Sequence, residues 1–74
     1  MPIVNVQLIE DVFDSKQKSE LITKLTDAVE SVYPGLRDVT FVAIDEIKGG
    51  NWGIGGQAID HKVVENHAHD ALKK

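Results

Sequence analysis

The sequence predicts an α/β (α+β) chain built as a single β-α-β unit with a C-terminal β-hairpin and a short C-terminal helix. Three observations predict it. Ile3, Val4, Val6, Leu8 and Ile9 interleave with Asn5 and Gln7 at the period of two expected for a strand. Leu21, Ile22, Leu25, Ala28, Val29, Val32 and Tyr33 recur at helical spacing, with polar residues between them. Five of the six glycines fall in the segment 48–56, which marks a sharply bent turn region.

Each element has its own signals. Pro2 suits the first residue of a strand, where no ladder donor is needed. Asp14 or Ser15 offers a helix N-cap, and Gln17 stands three residues after Asp14 as in a capping box. Pro34-Gly35 stops that helix. Val39–Ile47 reads as the second strand, with Val39, Phe41 and Ala43 on one face and Val42 and Ile44 on the other. Strand, helix, strand predicts a parallel pair joined by a right-handed crossover. Lys48–Gly56 should form a hairpin presenting Trp52 and Ile54. Its spacing does not match a phosphate-binding loop. From Gln57 on, Ile59, Val63, Val64, His67, Ala68, Ala71 and Leu72 form a loose helical stripe.

The 74 residues read as one domain, 1–74, without linker or repeat. So short a chain covers only a thin core, and with no cysteine it has no disulfide to compensate. A strand that is apolar on both faces then asks for a second copy, so the sheet is expected to be completed by oligomerisation. The net charge of −4 argues against nucleic acid and anionic membrane surfaces as partners. The apolar start has no basic segment before it and no run is long enough to span a membrane, so the expected compartment is the cytoplasm. His61, His67 and His69 lack the i, i+4 spacing of paired metal ligands, and no metal is expected. The acid pairs Glu10-Asp11 and Asp45-Glu46 read as solvated charges at strand ends, since adjacent strand residues point to opposite faces.

Pro2-Ile3 at the start, Asp14–Leu21 at the helix entry, Ile44-Asp45-Glu46-Ile47 and Asn51-Trp52-Gly53-Ile54-Gly55-Gly56 together resemble the 4-oxalocrotonate tautomerase family. The likeness runs from Pro2 to about Gly56. It implies a cofactor-free enzyme, an isomerase acting on a small enol or 2-hydroxydienoate, with an amino-terminal proline as general base and acid. It also implies a homo-oligomer, a hexamer built as a trimer of dimers. The proposed role requires removal of Met1, which leaves Pro2 with a free secondary amine. An α-amino group titrates at about 7.7–8.0, and an apolar surrounding lowers that value toward neutrality. Such an amine is suited to proton transfer near pH 7.

Two departures from the family pattern bear on the substrate. The two arginines that hold dicarboxylates in the family fall here on Val12 and Thr40. Neither can bind a carboxylate as a cationic fork. Arg37, the one arginine in the chain, would point to the opposite face from Thr40 if the strand reached that far, although it could serve another subunit's pocket. Lys48 is a further cation beside the hairpin. Trp52 falls on the family's aromatic pocket wall, with Ile54, Val39 and Phe41 as weaker candidates for the same wall. Two alternatives stay open: an inert oligomeric protein of this fold, and a hydratase or dehalogenase that depends on Pro2.

Overall fold

The computed structural model describes the backbone of residues 1–72 and the side chains of residues 1–68. The elements are β1 (Ile3–Ile9), α1 (Ser15–Val32), a 3-10 turn (Arg37–Val39), β2 (Phe41–Ile47), β3 (Trp52–Ile54), β4 (Gln57–Ile59) and α2 (His61–Leu72). β1 pairs with β2, and β3 with β4. The β-α-β unit, C-terminal hairpin and terminal helix are therefore all present. No described helix is long and apolar enough to cross a membrane. The chain divides into two compact units, one of Met1–Gln7 and Phe13–Asp45, the other of Leu8–Val12 and the chain from Glu46 on.

In the first unit, α1 starts as the sequence dictates. The Asp14 carboxylate accepts from the Gln17 N–H at 2.7 Å, and the Gln17 side chain accepts from the Asp14 N–H at 3.0 Å. This reciprocal box satisfies two donors that a helix start leaves without partners. The helix closes at Tyr33, whose N–H reaches the Val29 carbonyl, and Gly35 turns the chain at φ 98°. Burial alternates along both strands of this unit. Val4, Val6, Val42 and Ile44 are half-buried, while Ile3, Asn5, Phe41, Ala43 and Asp45 are exposed. Leu21, Leu25 and Val29 are also half-buried, four residues apart on one stripe of α1. One face of this strand pair is thus partly covered, and the face carrying Ile3, Phe41 and Ala43 is left open.

β2 begins at Phe41, two residues later than the sequence suggested. The Val39 N–H donates to the Leu36 carbonyl at 3.0 Å and the Thr40 N–H to the Arg37 carbonyl at 3.3 Å. The Thr40 hydroxyl adds a bond to Leu36 O at 2.7 Å. These bonds coil residues that their β-branched side chains had marked as strand. The Phe41 N–H then donates to the Pro2 carbonyl at 3.0 Å. At the strands' other ends, in the second unit, the Glu10 N–H donates to Ile47 O at 2.8 Å. Both partners advance together, so β1 and β2 run parallel.

In the second unit Ile9 is 6% exposed, and it is the one buried hydrophobic residue among those described. A turn closes from Lys48 O to Asn51 N–H at 2.9 Å, with Gly50 at φ 91° in the position that a type II turn reserves for glycine. β3 and β4 are antiparallel, with Trp52 opposite Ile59 and Ile54 opposite Gln57. That register leaves a two-residue loop, Gly55 at φ 58° and Gly56 at φ 83°. Positive φ at both positions is the signature of a type I′ turn. Residues 57–59, read from sequence as the beginning of the terminal helix, are instead the returning strand. The helix starts at His61, after Asp60 accepts from the Lys62 N–H at 3.0 Å as its N-cap. The side chains of His69, Ala71 and Leu72 lie outside the described residues.

A Cβ at Gly56 meets nothing within 4 Å, so substitution there tests backbone conformation alone. Gly56→Ala is expected to destabilise the protein by about 1–2 kcal/mol, the cost of a left-handed residue carrying a Cβ. Gly55→Asn creates the Asn-Gly pair that type I′ turns favour, and its effect should be a few tenths of that. Urea midpoints measured at one protein concentration separate the two. Equal midpoints would rule out the turn type.

Candidate active site

The first unit holds four of the residues that the sequence nominated. Pro2 precedes β1 and is half-buried. Having no N–H, it enters the ladder only through its carbonyl, and that carbonyl takes the bond from Phe41. Residue 2 is thereby tied to the first residue of β2. Met1, before it, is 82% exposed. Phe41 is 53% exposed and shares its strand face with Ala43. Ile3 on β1 is 62% exposed. Val39 lies in the 3-10 turn, two residues before Phe41. Pro2, Phe41 and Val39 thus stand at one end of this unit's strand pair.

Arg37 is engaged elsewhere. Its guanidinium donates to the Asp27 carboxylate on α1. That hydrogen bond and the charge of Asp27 raise the already high pKa of the guanidinium. Its backbone N–H donates to Glu30 Oε2 at 2.9 Å, while Glu30 Oε1 accepts from the Gly35 N–H at 2.9 Å. The Gly35 bond chiefly, and then the bond from Arg37, hold the Glu30 carboxyl below its ordinary range. Asp27 and Glu30 thus fasten the chain where it leaves α1. Arg37 lies in the 3-10 turn and not in a strand, so its side chain belongs to neither sheet face. Sequence reasoning missed Glu30. Its only signal was a carboxylate one turn before Pro34-Gly35.

Val12 is half-buried, and the Thr40 hydroxyl is taken by Leu36. Neither position offers a cation.

Trp52 and Ile54 belong to the second unit. They are two residues apart on β3 and opposite Ile59 and Gln57, so all four share one face of the hairpin. Trp52 is half-buried and Ile54 is 59% exposed. Lys48 is exposed at the turn before them. The same unit has an acidic cleft of about 550 Å³, with Glu10, Asp11, Asp60 and His61 in its walls. None of the nominated residues lines it. Glu10 is not the freely solvated charge expected at a strand end: it is half-buried, and its carboxylate accepts from the Gly49 N–H at 3.1 Å. Asp11 beside it adopts φ 66°, a left-handed conformation that aspartate tolerates better than most residues.

The family profile described as tautomerase enzyme matches residues 2–62. A Dickeya dadantii protein named "Probable tautomerase K2" is 34% identical over 62 residues, covering 84% of this chain and 92% of its own. The crystal structure of a 4-oxalocrotonate tautomerase relative from methicillin-resistant Staphylococcus aureus matches with a TM-score of 0.68 and 37% identity. That match covers 77% of this chain and 90% of the other. A heterohexameric 4-oxalocrotonate tautomerase from Chloroflexus aurantiacus has the same fold at 22% identity, with a TM-score of 0.72 over 78% of this chain and 92% of its own. With a family profile spanning most of its length, and relatives above 30% identity matched over nearly all of theirs, this chain belongs to the tautomerase family.

Proposed function

We propose that this protein is a cofactor-independent keto–enol tautomerase in which Pro2, freed by removal of Met1, is the general base and acid. The observation that carries this reading is the place of Pro2. The family match begins at that residue, which is half-buried and heads β1 with its carbonyl fixed by Phe41. Met1 projects into solvent, where a peptidase can reach it. The freed amine takes the proton from the enol oxygen of the substrate and returns it to carbon as the keto form is made, so charge and atoms balance over the cycle. Val39 and Phe41, at the same end of the strand pair as Pro2, supply apolar surface that favours the neutral amine, and the family resemblance adds Trp52 and Ile54 as further pocket wall. Arg37 could assist only by leaving Asp27.

The substrate class follows from the two missing cations. An enol with one carboxylate or none suits a site in which valine and threonine stand where the family places arginines. Each charged hydrogen bond lost is worth about 1.5–3 kcal/mol, or roughly tenfold to a hundredfold in affinity. The enol of phenylpyruvate should therefore turn over with a kcat/KM well above that on the dicarboxylate 2-hydroxymuconate. Comparable values on the two would defeat the substrate assignment. No turnover of either, by protein that mass spectrometry shows to lack Met1, would favour the inert reading.

The active form is proposed to be a homo-oligomer, with the hexamer favoured. Support comes from the open sheet face, and from the Chloroflexus aurantiacus protein of the same fold, which is a heterohexamer.

A further inference from the structure

A second cavity in the second unit is almost wholly apolar in its described lining. It has a volume of about 300 Å³ and is lined by Ile54 and Ile59 of the hairpin and by Val63, Val64 and His67 of α2. Three of these five residues lie beyond residue 62, where the family match ends. Helical geometry explains why they converge: Val63 and His67 are four residues apart and Val64 and His67 three, so all three share one face of α2. The two isoleucines sit on the hairpin face that also carries Trp52. The pocket is therefore a product of this chain's own terminal helix set against its hairpin.

We propose that this pocket binds a neutral aromatic ring bearing one hydroxyl group. Size and chemistry select that class. An apolar cavity of about 150 Å³ holds benzene, so a pocket of this volume takes a ring with a substituent. Its walls are branched aliphatic carbons, which gain from burying a flat apolar surface and offer a charged group no partner. Among the described residues, the one polar side chain in its lining is the imidazole of His67, whose ring nitrogens can hydrogen-bond a hydroxyl. The net charge of −4 disfavours an anion in the same place. The site shares Ile54 with the proposed substrate wall, but it requires no chemistry at Pro2.

Phenol is the probe. The full-length protein, with isoleucine and valine methyl groups labelled, is titrated and followed by NMR, with benzoate in a parallel titration. Saturable shifts at Ile54, Ile59, Val63 and Val64 are expected, with phenol binding about tenfold more tightly than benzoate. Val64→Phe fills the cavity and should weaken phenol at least tenfold. His67→Ala, a change at an exposed position, should weaken it severalfold, and Pro2→Ala should leave it unchanged. An absence of saturable shifts, as when a neighbouring subunit closes the pocket, overturns the proposal. So does equal binding of benzoate, or loss of phenol binding in the Pro2→Ala protein. Tautomerase activity measured alongside stands or falls on Pro2, so the two readings fail separately.

Discussion

Protein carrying one additional lysine between Met1 and Pro2 is expected to fold normally and to lose about 10²–10⁴-fold in kcat/KM, the usual contribution of a positioned general base. The insertion blocks removal of methionine, because the residue that follows Met1 is no longer small. Pro2 then keeps its ring, its place before β1 and its carbonyl bond to Phe41, and only the nitrogen changes, from an amine to a tertiary amide without a basic lone pair. The added residue has room, since Met1 is already largely in solvent. Pro2→Ala is a milder change. It keeps a terminal amine and removes the ring that orients it, so an intermediate loss is expected, with the acid limb of the pH profile, where the amine becomes protonated, displaced. Wild-type activity in the lysine-inserted protein, with Met1 confirmed by intact mass, would eliminate Pro2 nitrogen as the base.

The sequence conveyed most where a signal was local and redundant. Asp14 and Gln17 form both bonds of the capping box, and α1 ends before Pro34-Gly35 as that dipeptide requires. β1 matches its alternating pattern from Ile3 to Ile9. Legibility failed where a specific hydrogen bond overrode a residue's propensity, or where an element was too short to show its period. Val39 and Thr40 look like strand residues, but bonds to Leu36 and Arg37 coil them. Gln57–Ile59 is too short for a period to show, and Ile59 falls four residues before Val63, in step with the helix that follows. Glu30 caps a turn through residues five and seven positions away, which depends on how the chain reverses at Gly35. For the site, Pro2 and Trp52 could be nominated by resemblance alone. The engagement of Arg37 by Asp27, ten residues earlier on α1, has no counterpart in the sequence pattern.

Phe41→Asp should abolish assembly, and with it the folded state. Ile9 is the one buried hydrophobic residue among those described, a core too small to offset the entropy of ordering a chain of this length. The missing apolar burial is available on the open face of β1 and β2, where Ile3, Phe41 and Ala43 stand exposed. Covering a phenylalanine contributes about 1.5–3 kcal/mol, and an unpaired carboxylate in its place adds a desolvation penalty of several kcal/mol more. In a symmetric assembly both effects recur in every subunit, so a single substitution acts with the multiplicity of the oligomer. Wild-type protein at micromolar concentration should sediment as a homo-oligomer, near six times 8.1 kDa for the hexamer. Phe41→Asp should sediment as a single expanded chain with little helical circular dichroism. Lys16→Ala, at an exposed position of α1, should behave as wild type. A compact, folded wild-type monomer would show that the open sheet face needs no second copy. Unchanged assembly of Phe41→Asp would show that subunits meet through some other surface, because folding and association are one equilibrium only if this face is where the core is completed.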